Sequence, residues 1–166
     1  MSSEDIQLVV FSVEVSGSSC NYGIPILQAQ GIERLPEITI LPQAENFIEG
    51  IINLRNEIVP LIDLKILFNF GRTKHGEDTR IIIFDMNIRK LGIIVDNVQE
   101  VIHVNKNQIE SDTSYLELIC GAGRQYVMGI AKVEGKLVIM IDLTKILTLE
   151  QQSSLEMMAY DTCTTA

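Results

Sequence analysis

Tryptophan is absent from this 166-residue chain, and aromatic residues make up only 5% of it. A core must therefore be built from branched aliphatics, present as 25 Ile, 16 Leu and 12 Val. That composition favours strands over helices. Basic residues are also scarce: 13 Lys and Arg stand against 22 Asp and Glu, a formal charge of −9. A chain this acidic is not expected to bind nucleic acid by neutralising phosphates, nor to settle on an anionic membrane. Cys20, Cys120 and Cys163 are odd in number, far apart and never spaced as CxxC. Neither a zinc knuckle nor a disulfide framework is expected, and free thiols fit a reducing cytoplasm. The longest apolar runs, Ile81 to Phe84 and Leu137 to Ile141, are four and five residues. A bilayer span needs ~20. The first ten residues lack a basic stretch leading into an apolar one, so they do not read as a signal peptide.

What is present points to a folded unit. Hydrophobic residues make up 46% of the chain, which excludes disorder for most of it. The length suits one domain, or one compact unit of two small halves. It is enough to bury roughly 70% of the unfolded surface without a metal or disulfide.

Short extended segments dominate. Phe11 to Val15 alternates apolar and polar, as a half-buried strand does, and Ser16 to Ser19 is a turn. Tyr22-Gly23-Ile24 resumes an extended run that Pro25 interrupts. Ile26 to Leu35 suits either a bent strand or a helical turn. Ala44 to Glu49 is expected to make about one helical turn stopped by Gly50. Gly50 to Leu54 and Glu57 to Ile62 form a hairpin, after which Asp63 is placed to cap a short helix, Leu64 to Phe68. A polar loop covers Phe70 to Thr79, and Arg80 to Met86 is apolar without alternation, a strand buried on both faces. Leu91 to Val95 and Val98 to Val104 pair about a turn at Asp96-Asn97. Gly135 to Ile141 is a further strand, and Asp142 is placed to cap Leu143 to Leu147. Residues 151–166 make a tail, either a docked helix or frayed.

The chain repeats itself. Gly50-Ile51 followed by Ile58 to Leu64 returns 79 residues later as Gly129-Ile130 followed by Leu137 to Leu143, each with Ile-Asp-Leu at the end. Upstream, Tyr22-Gly23-Ile24 matches Leu91-Gly92-Ile93 at an offset of 69, and Gln30 matches Gln99. Val9 to Val13 matches Ile81 to Asp85 more loosely. Two halves of short strands imply a mainly β fold of two small barrels, closed because closure removes exposed edges. The aligned hairpin tips are Arg55-Asn56 and Glu134-Gly135. Asn56 and Gly135 are the residue types that best tolerate positive φ, so both tips suit a primed two-residue turn. The charge ahead of them is reversed, so making the turn does not require Arg55.

Few residues could carry chemistry. His75 and His103 have no Asp, Glu or Cys at ligand spacing, so no metal is expected. Gly121-Ala122-Gly123 lacks the GK[ST] of a phosphate loop, and no GxSxG elbow exists. Asp63 and Asp142 sit where a strand meets a helix and read as caps rather than a carboxylate pair. Cys20 and Cys120 read as small packed side chains. No cofactor is expected. An aliphatic double barrel without a polar constellation suits an interaction module working through edges, tips and the groove between its halves.

Tyr22-Gly23-Ile24-Pro25-Ile26-Leu27 and the long block Phe47 to Leu64, with Asn53-Leu54-Arg55 at its centre, resemble the signature of CheW-like chemotaxis coupling proteins. Leu91 to Asp96, then Val98, Glu100 and Val101, resembles the family's second-half signature. The resemblance runs from about Val9 to Leu147. It implies a single domain over 1–150 of two intertwined five-stranded SH3-like barrels, the first about 9–70 and the second about 80–147, with the N-terminal strand a candidate for sharing between them. It also implies a cytoplasmic adaptor without catalysis, mostly monomeric in isolation. Its partners would be a methyl-accepting chemoreceptor's cytoplasmic hairpin, docked in the groove between barrels, and the regulatory domain of the histidine kinase CheA. Arg55 matches the family's NLR arginine, tied to coupling. Asn56 stands where the family has Gly, and Gly31 where many members have an acid able to pair with that arginine. Glu33, two residues on and on the same strand face, is expected to take over the pairing. Ala29, Gly31 and Val98 are the groove candidates. The alternatives are an adaptor of the same fold in a non-chemotaxis kinase pathway, a module normally joined to a receiver, and a small-ligand enzyme on a duplicated barrel. The last lacks a catalytic constellation.

Overall fold

The computed structural model describes residues 5–15, 17–42, 44, 46–68, 70–86, 89–112, 114 and 126–145. These hold β1 (Asp5–Val15), β2 (Ser18–Pro25), β3 (Ala29–Arg34), β4 (Ile48–Leu54), β5 (Glu57–Asp63), β6 (Arg80–Met86), β7 (Arg89–Val95), β8 (Asn97–Asn105), β9 (Ile109–Glu110), β10 (Val127–Val133) and β11 (Lys136–Ile141). One α-helical turn, α1 (Leu64–Leu67), follows β5, and 3₁₀ turns span Ile26–Gln28, Lys106–Gln108 and Leu143–Lys145. The expected tail at 151–166, the Gly121-Ala122-Gly123 loop, Cys120 and Cys163 lie outside the described residues.

The strands form a five-stranded sheet, β3-β6-β7-β5-β4, and a six-stranded one, β8-β1-β2-β11-β10-β9. Each curls around its own interior. Ile52, Val59, Leu61, Ile81, Ile83 and Ile94 meet Leu35, just beyond β3, so both edges of the five-stranded sheet face one cluster. Leu8, Val10, Val104, Ala131, Val138 and Met140 fill the other barrel. The two interiors are built by the repeat: Ile52, Val59 and Leu61 in one correspond to Ala131, Val138 and Met140 in the other. A third cluster lies between the barrels, joining Phe11, Tyr22 and Ile24 to Ile62, Ile82, Phe84 and Ile93. The scarce aromatics gather at this seam. Phe68 stacks on Tyr126 at 5.3 Å and lies 6.0 Å from Tyr22, which stacks on Phe11 at 5.9 Å. Such pairs each add ~0.5–1.5 kcal/mol beyond area burial.

The assignment of strands to barrels differs from the expected division at 9–70 and 80–147. Residues 29–95 make one barrel, and β1 and β2 join residues 97–141 in the other. The first barrel is thus an uninterrupted stretch inserted into the second. Two parallel contacts cause this: β5 pairs with β7 through Leu61 and Gly92, and β11 pairs with β2 through Met140 and Gly23. These are the same contact twice, since both residue pairs are repeat mates. A Cβ on Gly92 would fall 2.7 Å from Leu61 Cδ2, and one on Gly23 2.9 Å from Val138 Cγ1, so glycine admits the neighbouring strand's side chain where any larger residue would force it to shift. Each half's first hairpin therefore completes the barrel begun by the other half.

Smaller departures have local causes. Val10 pairs with Gly23 and Ile83 with Gly92, which puts the offset between β1 and β6 at 73, one more than the loose match suggested. Both alternatives for 26–35 occur in succession, a 3₁₀ turn and then β3. Ile48 and Glu49 are strand, not helix, and Gly50 is not a helix stop. It lies at φ 157°, where a Cβ would sit 2.4 Å from the carbonyl oxygen of Thr39, whose backbone bridges to Ile51.

Candidate partner-binding surface

The β4–β5 hairpin turns through Arg55 and Asn56 at φ 50° and 67°, and the β10–β11 hairpin through Glu134 and Gly135 at 50° and 78°. Positive φ at both positions gives the primed turn that follows strand twist. The turn projects Arg55 outward, with its side chain 81% exposed. Its Nη2 donates to Glu33 Oε1 at 3.1 Å. Glu33 is on β3 and Arg55 follows β4, and these two strands are opposite edges of the five-stranded sheet. The ion pair therefore spans the mouth of the curled sheet. Lys90 and Glu57 add a second pair at 3.3 Å. A Cβ on Gly31 would meet nothing nearer than Glu33 Oε1 at 3.9 Å, so this glycine leaves open space beside the pair.

The other groove candidates sit elsewhere. Ala29 pairs opposite Phe84 on β6, and Val98 opposite Phe11 on β1. They are repeat mates, and both are half-buried against the cluster between the barrels. A bulge at Gln30 separates Ala29 from Gly31 and Glu33, and an equivalent bulge at Gln99 follows Val98. The structure thus brings Gly31, Glu33 and Arg55 together at one barrel's rim and sets Ala29 and Val98 along the seam.

The rim of the second barrel is different. The mates of Glu33 and Arg55 are Ile102 and Glu134, an apolar side chain and an acid that have no opposite charges to pair with each other. There a cavity of about 240 Å³ opens, lined by Ile102, Gln99, Glu100, Glu134 and Lys136 among others. The repeated hairpins thus carry an ion pair across the rim of one barrel and border a cavity at the rim of the other.

The two cap residues are also unlike. Asp63 is fully buried; its carboxylate accepts from Lys65 N at 3.0 Å and from Thr73 N and Oγ1 at 2.9 and 2.8 Å. The loop 70–79 is thereby pinned, and Arg72 reinforces it by donating to Glu49 Oε2 at 2.6 Å. Asp142 is half-buried and accepts from Thr144 N and Oγ1 and from Gln28 Nε2. Sequence reasoning missed the Glu49 and Gln28 contacts, because partners 23 and 114 residues away leave no spacing signal. Among the described residues no group of three or more His, Cys, Asp or Glu could hold a metal, and no helix is long and apolar enough to cross a membrane.

Comparison with known proteins agrees with this geometry. The CheW-like domain family matches residues 7–151. The chemotaxis protein CheW of Bacillus subtilis is 31% identical over 148 residues, covering 89% of this chain and 90% of that one. CheW of Klebsiella aerogenes is 30% identical over 138 residues, covering 83% and 81%. The crystal structure of the scaffolding protein TtCheW from Thermoanaerobacter tengcongensis superposes with a TM-score of 0.75 at 36% identity, covering 88% of this chain and 94% of that one. Matched by the family model over residues 7–151 and by relatives at 30–31% identity over more than four-fifths of its length, the chain belongs to the CheW-like domain family.

Proposed function

We propose that this protein couples chemoreceptors to the histidine kinase CheA, as a cytoplasmic adaptor that catalyses nothing itself. One partner is the receptor's cytoplasmic hairpin, lying along the seam where Ala29 and Val98 are half-buried; the other is the kinase's regulatory domain, engaging a barrel end. The observation that carries this is the projecting Arg55, held by Glu33 over the rim of the first barrel. An exposed pair of this kind contributes only ~0–1 kcal/mol to stability. Its service is to fix the direction of a guanidinium, the fork that binds carboxylates in two-point contacts.

The test is to titrate the protein, and its Arg55→Glu variant, into a receptor hairpin and separately into a CheA regulatory domain. Binding of both by the wild type is expected. The substitution should weaken the receptor arm about tenfold, equivalent to ~1.4 kcal/mol. Binding to neither partner by folded protein would remove the coupling role and leave an adaptor for another kinase pathway in its place.

A further inference from the structure

Among the described residues the chain passes between barrels twice, at Pro25–Ala29 and at Val95–Asn97. At each passage one side chain fastens the crossing. Asp96 Oδ2 accepts from Glu14 N at 2.7 Å, and Asp96 N donates to Ser12 O at 3.2 Å, which ties the second crossing to β1. The first crossing is the 3₁₀ turn Ile26–Gln28, which has no side-chain cap of its own. Its tie is Gln28. The amide nitrogen donates to Asp142 Oδ1 at 3.1 Å, and the amide oxygen accepts from Leu143 N at 3.0 Å. Both ends of one amide are used on the start of a turn that belongs to the other barrel.

The placement of these ties is the informative part. Gln28 immediately precedes Ala29, and Asp96 lies two residues before Val98. Ala29 and Val98 are the mates that flank the seam from opposite barrels. The β3 side of the seam is thus held to the second barrel through Gln28. The repeat mate of Gln28 is Asn97, one methylene shorter, so the device is not imposed by the duplicated backbone.

We propose that Gln28 is a positioning residue: by clasping the Asp142 cap it fixes β3 relative to β8 and so sets the shape of the seam into which the receptor hairpin fits. This rests on the coupling role proposed above. It needs an amide at 28. Gln28→Met keeps the length and apolar stem but neither hydrogen bond. Gln28→Glu places a carboxylate against that of Asp142 and removes the donor.

The test uses the full chain and three readouts: hairpin binding, regulatory-domain binding, and amide hydrogen exchange at Leu143. For Gln28→Met and Gln28→Glu the expected result is a five- to tenfold loss of hairpin affinity, with regulatory-domain affinity within twofold of wild type. Protection of the Leu143 amide should fall by a similar factor in Gln28→Met, which loses its acceptor, and by less in Gln28→Glu, which keeps one. A general loss of stability would instead move both affinities together, and that outcome overturns the positioning role. So does wild-type hairpin affinity in Gln28→Met. Should the wild-type protein bind neither partner, the coupling role fails, whereas a wild type that binds both while the variants match it overturns the clasp alone.

Discussion

The two cap aspartates occupy the same place in the repeat yet should differ several-fold in what they hold. Asp63→Ala removes an N-cap, worth about 1 kcal/mol. It also strands the N–H and hydroxyl of Thr73, which is 3% exposed. Each buried group left without a partner costs about 1–3 kcal/mol, so the total is roughly 3–7 kcal/mol. For a domain of this size that lowers Tm by about 9–21 °C, at ~3 °C per kcal/mol. Asp142→Ala removes the same kind of cap and releases the Gln28 amide, but Gln28 is only half-buried and the Thr144 donors are exposed, so water takes over. The loss there is about 1 kcal/mol, or ~3 °C. Thermal unfolding followed by circular dichroism, with urea denaturation to check the order, measures both. Equal losses, or a larger one for Asp142→Ala, would refute the argument that burial of the accepting partner sets the cost. Thr73→Val should recover part of the Asp63→Ala loss, because it deletes one of the stranded donors.

Two further substitutions probe the duplicated backbone. Gly92→Ala forces a methyl to within 2.7 Å of Leu61 Cδ2, an overpacking worth about 1–3 kcal/mol. Combining it with Leu61→Val should restore part of that loss, and strict additivity of the two in urea midpoints would count against the close parallel contact. At the hairpin tip, Asn56→Gly should leave the midpoint unchanged, while Asn56→Val should cost about 1–2 kcal/mol for a branched residue at positive φ. A Val variant as stable as the wild type would show that the primed turn does not persist in solution.

Much of the local structure could be read from the residues. A strand at Phe11 to Val15 was legible, although its alternation implies one covered face and the structure buries both from Leu8 to Val13, Ser12 included; the unbroken Ile81 to Phe84 run marked the fully covered β6, and the Gly-Ile and Ile-Asp-Leu anchors revealed the duplication. Those signals are local, set by which face of a strand is covered. They do not say by which partner. The exchange of first hairpins therefore stayed hidden, although Gly23 and Gly92 were visible as mates, because a glycine that admits a side chain looks in sequence like one that makes a turn. Gly50 shows the same ambiguity: beside Ala44 to Glu49 it looked like a helix stop, and the carbonyl of Thr39 is what requires it. The pairing of Glu33 with Arg55 was approachable because hairpin tip and strand face were both predictable. The Gln28 tie was not, since an isolated glutamine carries no period, charge or spacing.

The insertion of one barrel within the other has a consequence for the order of events at the ribosome. Tyr22 must wait for Ile139, its partner 117 residues later, before β2 gains its second neighbour. At ~5–20 residues per second, that is roughly 6–23 s. The five strands from Ala29 to Val95 need nothing beyond themselves and can close in the meantime. The first hairpin, with Val9, Phe11 and Val13 facing the seam, spends that interval uncovered unless the finished barrel shelters it. The apolar seam thus gives the early hairpin a surface to rest on until the rest of its own barrel is made.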